Sequence, residues 1–349
     1  MTPVAKADVA KAAPPPKAAP KALPQPKRDW LPILLVPVLV VVSLPLVGNF
    51  SAWLTLSVAG LAMGMMIFIM ASGLTLIFGL MDVLNFGHGV FISIGAFAVT
   101  LVVIPLASLV QADSVLLNIA VLLLCAVVAM VLTGALGWAF ERVIVRPVYG
   151  QHLKQILVTM GGMIVAEQLI HVFWGADPIP VPPPEALRGA VLIGEAAIER
   201  YRILAVAVGL AVFAAMMLVL NRTKIGLLIR AGVENGEMVE ALGYRIRRLF
   251  VGVFVAGSAL AGLGGVMWAF YRQTLTPGMG MEVMVLIFIV IIIGGLGSVG
   301  GCFIGSLLVA LVANYTGFLA PKVALGSNIL LMVLILMWRP QGLFPVAKR

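Results

Sequence analysis

Three groups of residues have types and spacings suited to chemistry. The stretch Gly73 to Phe97, GLTLIFGLMDVLNFGHGVFISIGAF, puts Asp82, Asn85 and His88 in and beside a glycine-interrupted apolar run. Polar groups there are costly unless they face protein or a watery path, and a broken helix offers unpaired backbone groups to a small polar solute. His88, between Gly87 and Gly89, has a second reading as a residue that only holds a turn. Glu167, Gln168 and His171 lie inside another apolar run, with Glu167 and His171 at i and i+4 on one helix face. They suit either a path lining or a local hydrogen-bonded pair near an interface. The third group, Gly295-Leu296-Gly297-Ser298-Val299-Gly300, matches a dinucleotide fingerprint after a β-branched run. No Asp or Glu follows Glu282, so the acid that would meet a ribose is absent and the match is a decoy.

Catalysis finds no residues to carry it. The chain has no Gly-Lys-Ser or Gly-Lys-Thr of a phosphate loop, no zinc spacing and no nucleophile elbow. Cys125 and Cys302 sit in apolar runs as small hydrophobes. Neither catalytic residues, a metal nor a cofactor is expected.

The elements that must hold these groups are membrane helices. Of 349 residues 62% are hydrophobic and 11% charged, too little polar surface to cover a soluble globule of this size. The net charge of +9 is spread over segments flanking apolar runs, which excludes a nucleic-acid groove and matches topology signals. Apolar runs at 31–48, 52–80, 84–108, 115–140, 155–174, 202–220, 250–271, 283–300, 301–318 and 326–339 predict an all-α, polytopic transmembrane helix bundle of about ten spans, some short or broken. Residues 283–318 are continuous, and charge parity favours a hairpin there over a single span.

Residues 1–29, rich in Ala, Pro and Lys, read as a disordered cytoplasmic tail, and 30–349 as the transmembrane domain. Positive charge then sorts the loops. Arg142, Arg146 and Lys154, the group from Arg222 to Arg248, and Arg339, Lys348 and Arg349 fall on the cytoplasmic side, with both termini. The proline-rich segment 175–200 falls outside, either as a landing surface for an external binding protein or as a connector.

The charged segment 221–249 is the predicted cytoplasmic coupling loop. Asn235 can cap a short helix, Glu237 sits in its acidic first turn, and Gly243 can end it in a left-handed conformation. Met238, Ala241 and Leu242 form an apolar face, with Glu237 and Glu240 on its rim. A soluble partner can grip such a helix, and the plainer reading is a solvated loop. Small-xxx-small steps at Gly297, Gly301 and Gly305, at Gly60 and Gly64, and at Ser258 and Gly262 point to close helix packing.

The run from Gly73 to Phe97 closely resembles the signature of branched-chain amino-acid permeases of ATP-binding-cassette importers, of the LivH type. The loop RAGVENGEMVEALGYRIRRL, the stretch IGGLGSVGGCFIGSLLVAL and the end Trp338-Arg339-Pro340-Gln341-Gly342-Leu343-Phe344 are similar to the same family. Gly236 stands where that family often has proline, and the N-terminal tail lies outside the shared pattern. The resemblance implies an inner-membrane subunit of a bacterial importer, working with a second permease, two cytoplasmic ATPases and an extracytoplasmic substrate-binding protein. The residues themselves give the expected path, beside Asn85, His88 and Glu167, and the expected coupling helix, Gly236 to Leu242, with Glu237, Met238, Glu240, Ala241, Leu242 and Gly243 at the ATPase contact. Substrates implied are branched-chain amino acids, or urea, short amides and other carboxylates. An ion-coupled secondary transporter is the competing class, and few ionisable residues are present in the spans to serve it.

Overall fold

Apolar runs become helices here because a segment in lipid must pair its own backbone N–H and C=O groups. The computed structural model describes residues 30–344, apart from Asn235 and the side chains of Val233, Glu234 and Leu325. The helices are α1 (Leu31–Val47), α2 (Phe50–Met81), α3 (His88–Val103), α4 (Ala107–Val110), α5 (Val115–Phe140), α6 (His152–Trp174), α7 (Arg200–Arg222), α8 (Lys224–Glu234), α9 (Gly236–Ala241), α10 (Ile246–Arg272), α11 (Met279–Gly294), α12 (Val299–Leu319) and α13 (Ala324–Trp338). Short strands β1 (Ile179–Pro180), β2 (Ala190–Ile193), β3 (Ala196–Glu199) and β4 (Thr274–Leu275) make two antiparallel ribbons, β1 with β4 and β2 with β3. Among the described residues six helices are long and apolar enough to cross a bilayer, and four apolar helices are shorter. The architecture is an all-α polytopic bundle.

Two stretches differ in detail from the hydropathy reading. Helix begins at His88 and not at 84, because α2 stops at Asp82 in a left-handed conformation (φ 51°) and the chain stays irregular up to Gly87. The apolar stretch 283–318 is a hairpin, turned by Gly295 (φ 98°) and Gly297 (φ 83°), conformations that glycine adopts without steric cost. Ser298 then caps α12, its Oγ accepting from the Gly301 N–H at 3.1 Å. Gly297 is therefore a turn residue lying against Gly79, not a step on a helix face. Gly301 and Gly305 do lie on α12, against Gly294 and Val290 of α11.

The core is built on α2, which is antiparallel to α12 through Gly60 opposite Leu311 and Gly64 opposite Leu307, with the Ser57 and Tyr315 hydroxyls 2.8 Å apart. On its other side α2 crosses α10 at Gly73, where the Gly257 carbonyl fills the room a Cβ would need. Lipid supplies no hydrophobic drive between helices, so such close approaches and the van der Waals contact they permit hold the bundle.

A second order runs through this packing. Asp82 and Gln273 (φ 56°) are the non-glycine residues with positive φ among those described, and each ends a long helix, α2 or α10. Their N–H groups donate to Phe78 O (2.9 Å) and Ala269 O (2.8 Å). Each is followed five residues later by a glycine N-cap, Gly87 or Gly278, and then by a 16-residue helix, α3 or α11. His88 N donates to Asn85 O and Met279 N to Thr276 O, so the two connectors match residue for residue. They lie at opposite ends of α6: Asp82 is 4.0 Å from His152 at its start, while β4 pairs with β1 just past its finish. The units α2–α3 and α10–α11 are thus matched and inverted, and they meet where Gly89 and Gly280 touch, beside Met163 midway along α6.

Candidate functional site

Two short helices, α3 and α11, begin inside the bundle, level with the middle of α6, and hold polar groups there. A 16-residue helix is about 24 Å long, less than the ~30 Å of a hydrocarbon core. The first turns of α3 and α11 overlap antiparallel at the axis. Ser93 ties them together, its Oγ accepting from Gly280 N (3.0 Å) and donating to Pro277 O (3.4 Å). On the α6 side a narrow crevice of about 10 Å³ lies between them, lined by Gly89, Val90, Ser93, Met163, Glu167, Ile170, Pro277 and Met281.

The predicted path residues divide around this point. Glu167 is half-buried in the crevice, with Oε1 3.5 Å from where a Cβ on Gly278 would stand. Asn85 and His88 are fully buried and face the core. His88 Nε2 lies 2.9 Å from the Met70 carbonyl, which can only accept, so Nε2 carries the proton and Nδ1 is the bare nitrogen. That Nδ1 and both amide atoms of Asn85 have no hydrogen-bond partner among the described residues. Phe86 N donates to Thr159 Oγ1 (3.2 Å), fixing the connector on α6. Gln168 is exposed, and no hydrogen bond joins Glu167 to His171 among the described residues. The sequence reading missed Ser93, and it missed Glu282, exposed on the first turn of α11. Glu282 had a signal: it is the sole acid after Glu240.

At the end where α2 finishes and α6 starts, α9 packs one side against α10, with Gly236 beside Ile246, and leaves its other side exposed. Asn235, its expected N-cap, lies outside the described residues. Its C-terminus is a Schellman turn: Gly243 N donates to Glu240 O (2.9 Å), Tyr244 N to Val239 O (3.2 Å), and Gly243 has φ 87°. Met238 (61%) and Leu242 (70%) are exposed, as are Ala241, Glu237 and Glu240. Val239, unremarked in the sequence, turns inward at 4% exposure. Beside the helix a cleft of about 420 Å³ is lined by Glu240, Gly243, Tyr244, Arg245, Arg247 and Arg248.

Segment 175–200 is ordered at the opposite end. Ala186 N donates to Asn118 Oδ1 (2.8 Å), Val181 N to Gln273 O (3.0 Å), and Glu185 pairs with Arg188 at 2.6 Å. The β2–β3 hairpin carries Val191, Leu192 and Ile193 exposed.

A bundle of inverted halves with broken helices meeting at mid-depth defines a multi-pass membrane protein of the transport class. Residues 56–338 match the family model described as branched-chain amino acid transport system / permease component, and the chain belongs to that family. It is similar to the high-affinity branched-chain amino acid transport system permease protein BraD of Pseudomonas aeruginosa, 28% identical over 296 residues that cover 82% of this chain and 94% of that protein. It is also similar to LivH of Escherichia coli K12, the permease protein of the same kind of system, 25% identical over 291 residues covering 81% and 92%. No solved structure matches the chain.

Proposed function

We propose that this chain is a permease subunit of an ATP-binding-cassette importer in a bacterial inner membrane, moving branched-chain amino acids or a related small polar solute. It works with a second permease, two cytoplasmic ATPase subunits and an extracytoplasmic binding protein. The observation that carries the reading is α9: a short helix with a locked C-terminus, an exposed apolar face at Met238, Ala241 and Leu242, and a polar rim. Such a face, next to the arginines of segment 221–249, suits an ATPase groove. Work from ATP then enters through contact, since the chain has no phosphate loop of its own. The bias of Lys and Arg toward this end supports a cytoplasmic location for it and for both termini. The solute path runs beside Asn85, His88 and Glu167. Glu167 lines the crevice near the start of α11, while Asn85 and His88, whose buried polar atoms lack partners among the described residues, stand at the start of α3 and need a movement to reach it.

The test is reconstitution in liposomes with the ATPases, second permease and binding protein, measuring uptake of labelled leucine. ATP-dependent uptake supports the reading. Uptake driven by an ion gradient without ATP would favour a secondary transporter and sink it.

A further inference from the structure

One buried carboxylate is used by nothing described so far. Glu141 is 2% exposed, and no ion pair reaches it among the described residues. It opens a π-helical turn, Glu141–Val145, at the end of α5, a rare widened turn that is frequent at functional sites. Its backbone carbonyl accepts from Arg146 N, and its Oε1 accepts from the Tyr149 hydroxyl at 2.6 Å. An aliphatic side chain would fill this place without the cost of desolvating a charge.

The contacts on either side give the pair a direction. The Tyr149 ring meets Phe250 edge-on at 6.3 Å, one turn into α10, and α10 starts three residues after the Gly243 corner of α9. Phe140, the residue before Glu141, stacks on Phe254 of α10 at 6.3 Å. Its Cζ also stands 2.6 Å from where a Cβ on Gly87 would be, against the N-cap of α3. The helix-break before α3 and the first turns of α10, which follow α9 in the chain, are therefore joined by packed rings, and Glu141–Tyr149 is a polar clasp beside them. Burial, reinforced by the hydrogen bond to and charge of Glu141, holds the Tyr149 phenol above its usual range, so it remains a donor.

We infer that Glu141 and Tyr149 are positioning residues that transmit a displacement of α9 and the start of α10 to the break before α3. The inference rests on the importer reading above. A charge-assisted hydrogen bond makes the α5 end and the 149–151 corner move as one piece, where ring contacts alone would let them slip.

The experiment uses the assembled importer in liposomes and reads solute moved per ATP hydrolysed, with complex yield and ATPase binding as separate measurements. Tyr149→Phe and Glu141→Leu should keep yield, ATPase binding and hydrolysis while the transport-to-hydrolysis ratio falls on the order of tenfold. Glu141→Gln, whose amide oxygen still accepts from the phenol, should restore most of the ratio. The double variant Tyr149→Phe/Glu141→Leu should be no worse than either single one, because both remove one interaction. An unchanged ratio in the two disabling variants overturns the inference, as does loss of complex in all of them, which would mark a purely structural pair. If the unsubstituted chain bound no ATPase, the importer reading itself would fall, and this inference with it.

Discussion

Leu242→Asp tests the coupling helix most directly, because it should barely disturb the isolated subunit and strongly disturb the assembled importer. The side chain is 70% exposed in the chain by itself. Full burial of a leucine is worth about 1.5–3 kcal/mol, so covering the open part in an ATPase groove contributes roughly 1–2 kcal/mol to docking. Leu242→Ala should remove that share and weaken ATPase binding about tenfold. Leu242→Asp adds an unpaired carboxylate at the covered centre, a further cost of about 2–5 kcal/mol, so binding should weaken more than about a hundredfold. In the isolated subunit the same aspartate sits in water at a helix C-terminus and costs under about 1 kcal/mol. The assay is titration of labelled ATPase onto the permease in nanodiscs, alongside thermal unfolding of the permease alone. Val239→Asp is the contrasting control: Val239 is buried within the chain, so this variant should lower subunit stability. An unchanged Kd for Leu242→Asp, with normal substrate-stimulated hydrolysis, would mean that the face stays solvated in the importer and that α9 is not the coupling element.

Asn85→Leu should leave subunit stability equal or higher, since it removes buried amide atoms that have no partner, while lowering uptake; unaltered uptake kinetics would take Asn85 out of the path. Gly73→Leu should abolish the folded subunit in detergent because the Gly257 carbonyl stands in the way, whereas Gly161→Ala, with open space around it, should fold normally. Equal yields by fluorescence-detected chromatography would refute that packing. Cysteine at Leu192 should react with an impermeant reagent in intact cells and cysteine at Arg230 should not; the opposite pattern would invert the proposed orientation.

How far the fold was legible follows from what each local signal measures. Hydropathy locates apolar helices, so the bundle and the hairpin between α11 and α12 could be read, and a glycine after an amphipathic turn was enough to anticipate the Gly243 corner. Spacing of small residues is blind to whether the helix continues, which is why Gly297 was mistaken for a packing step although two positive-φ glycines end the helix there. The face of α9 was half visible. Met238 and Leu242 were read as one apolar stripe, but the inward turn of Val239 depends on where α10 lies. The inverted halves were hidden because their connectors, DVLNFGHG and QTLTPGMG, share only a leucine and two glycines. What they have in common is backbone geometry, and two left-handed non-glycine corners leave little trace in residue type. Tyr149 and Glu141 were missed for a similar reason: the π turn and 3-10 turn that bring their side chains together have no sequence period of their own.

The meeting of α3 and α11 at Gly89 and Gly280 also has an electrostatic side. Each helix start carries roughly half an elementary positive charge from its aligned peptide dipoles. Two such starts meet beside Met163, so peptide groups bring positive partial charge to this point although no lysine or arginine stands in α3 or α11. Glu167 and Glu282 are the carboxylates that share this region. The field comes from peptide groups, and it would survive an alanine scan of every side chain around it; moving it requires changing where the two helices begin.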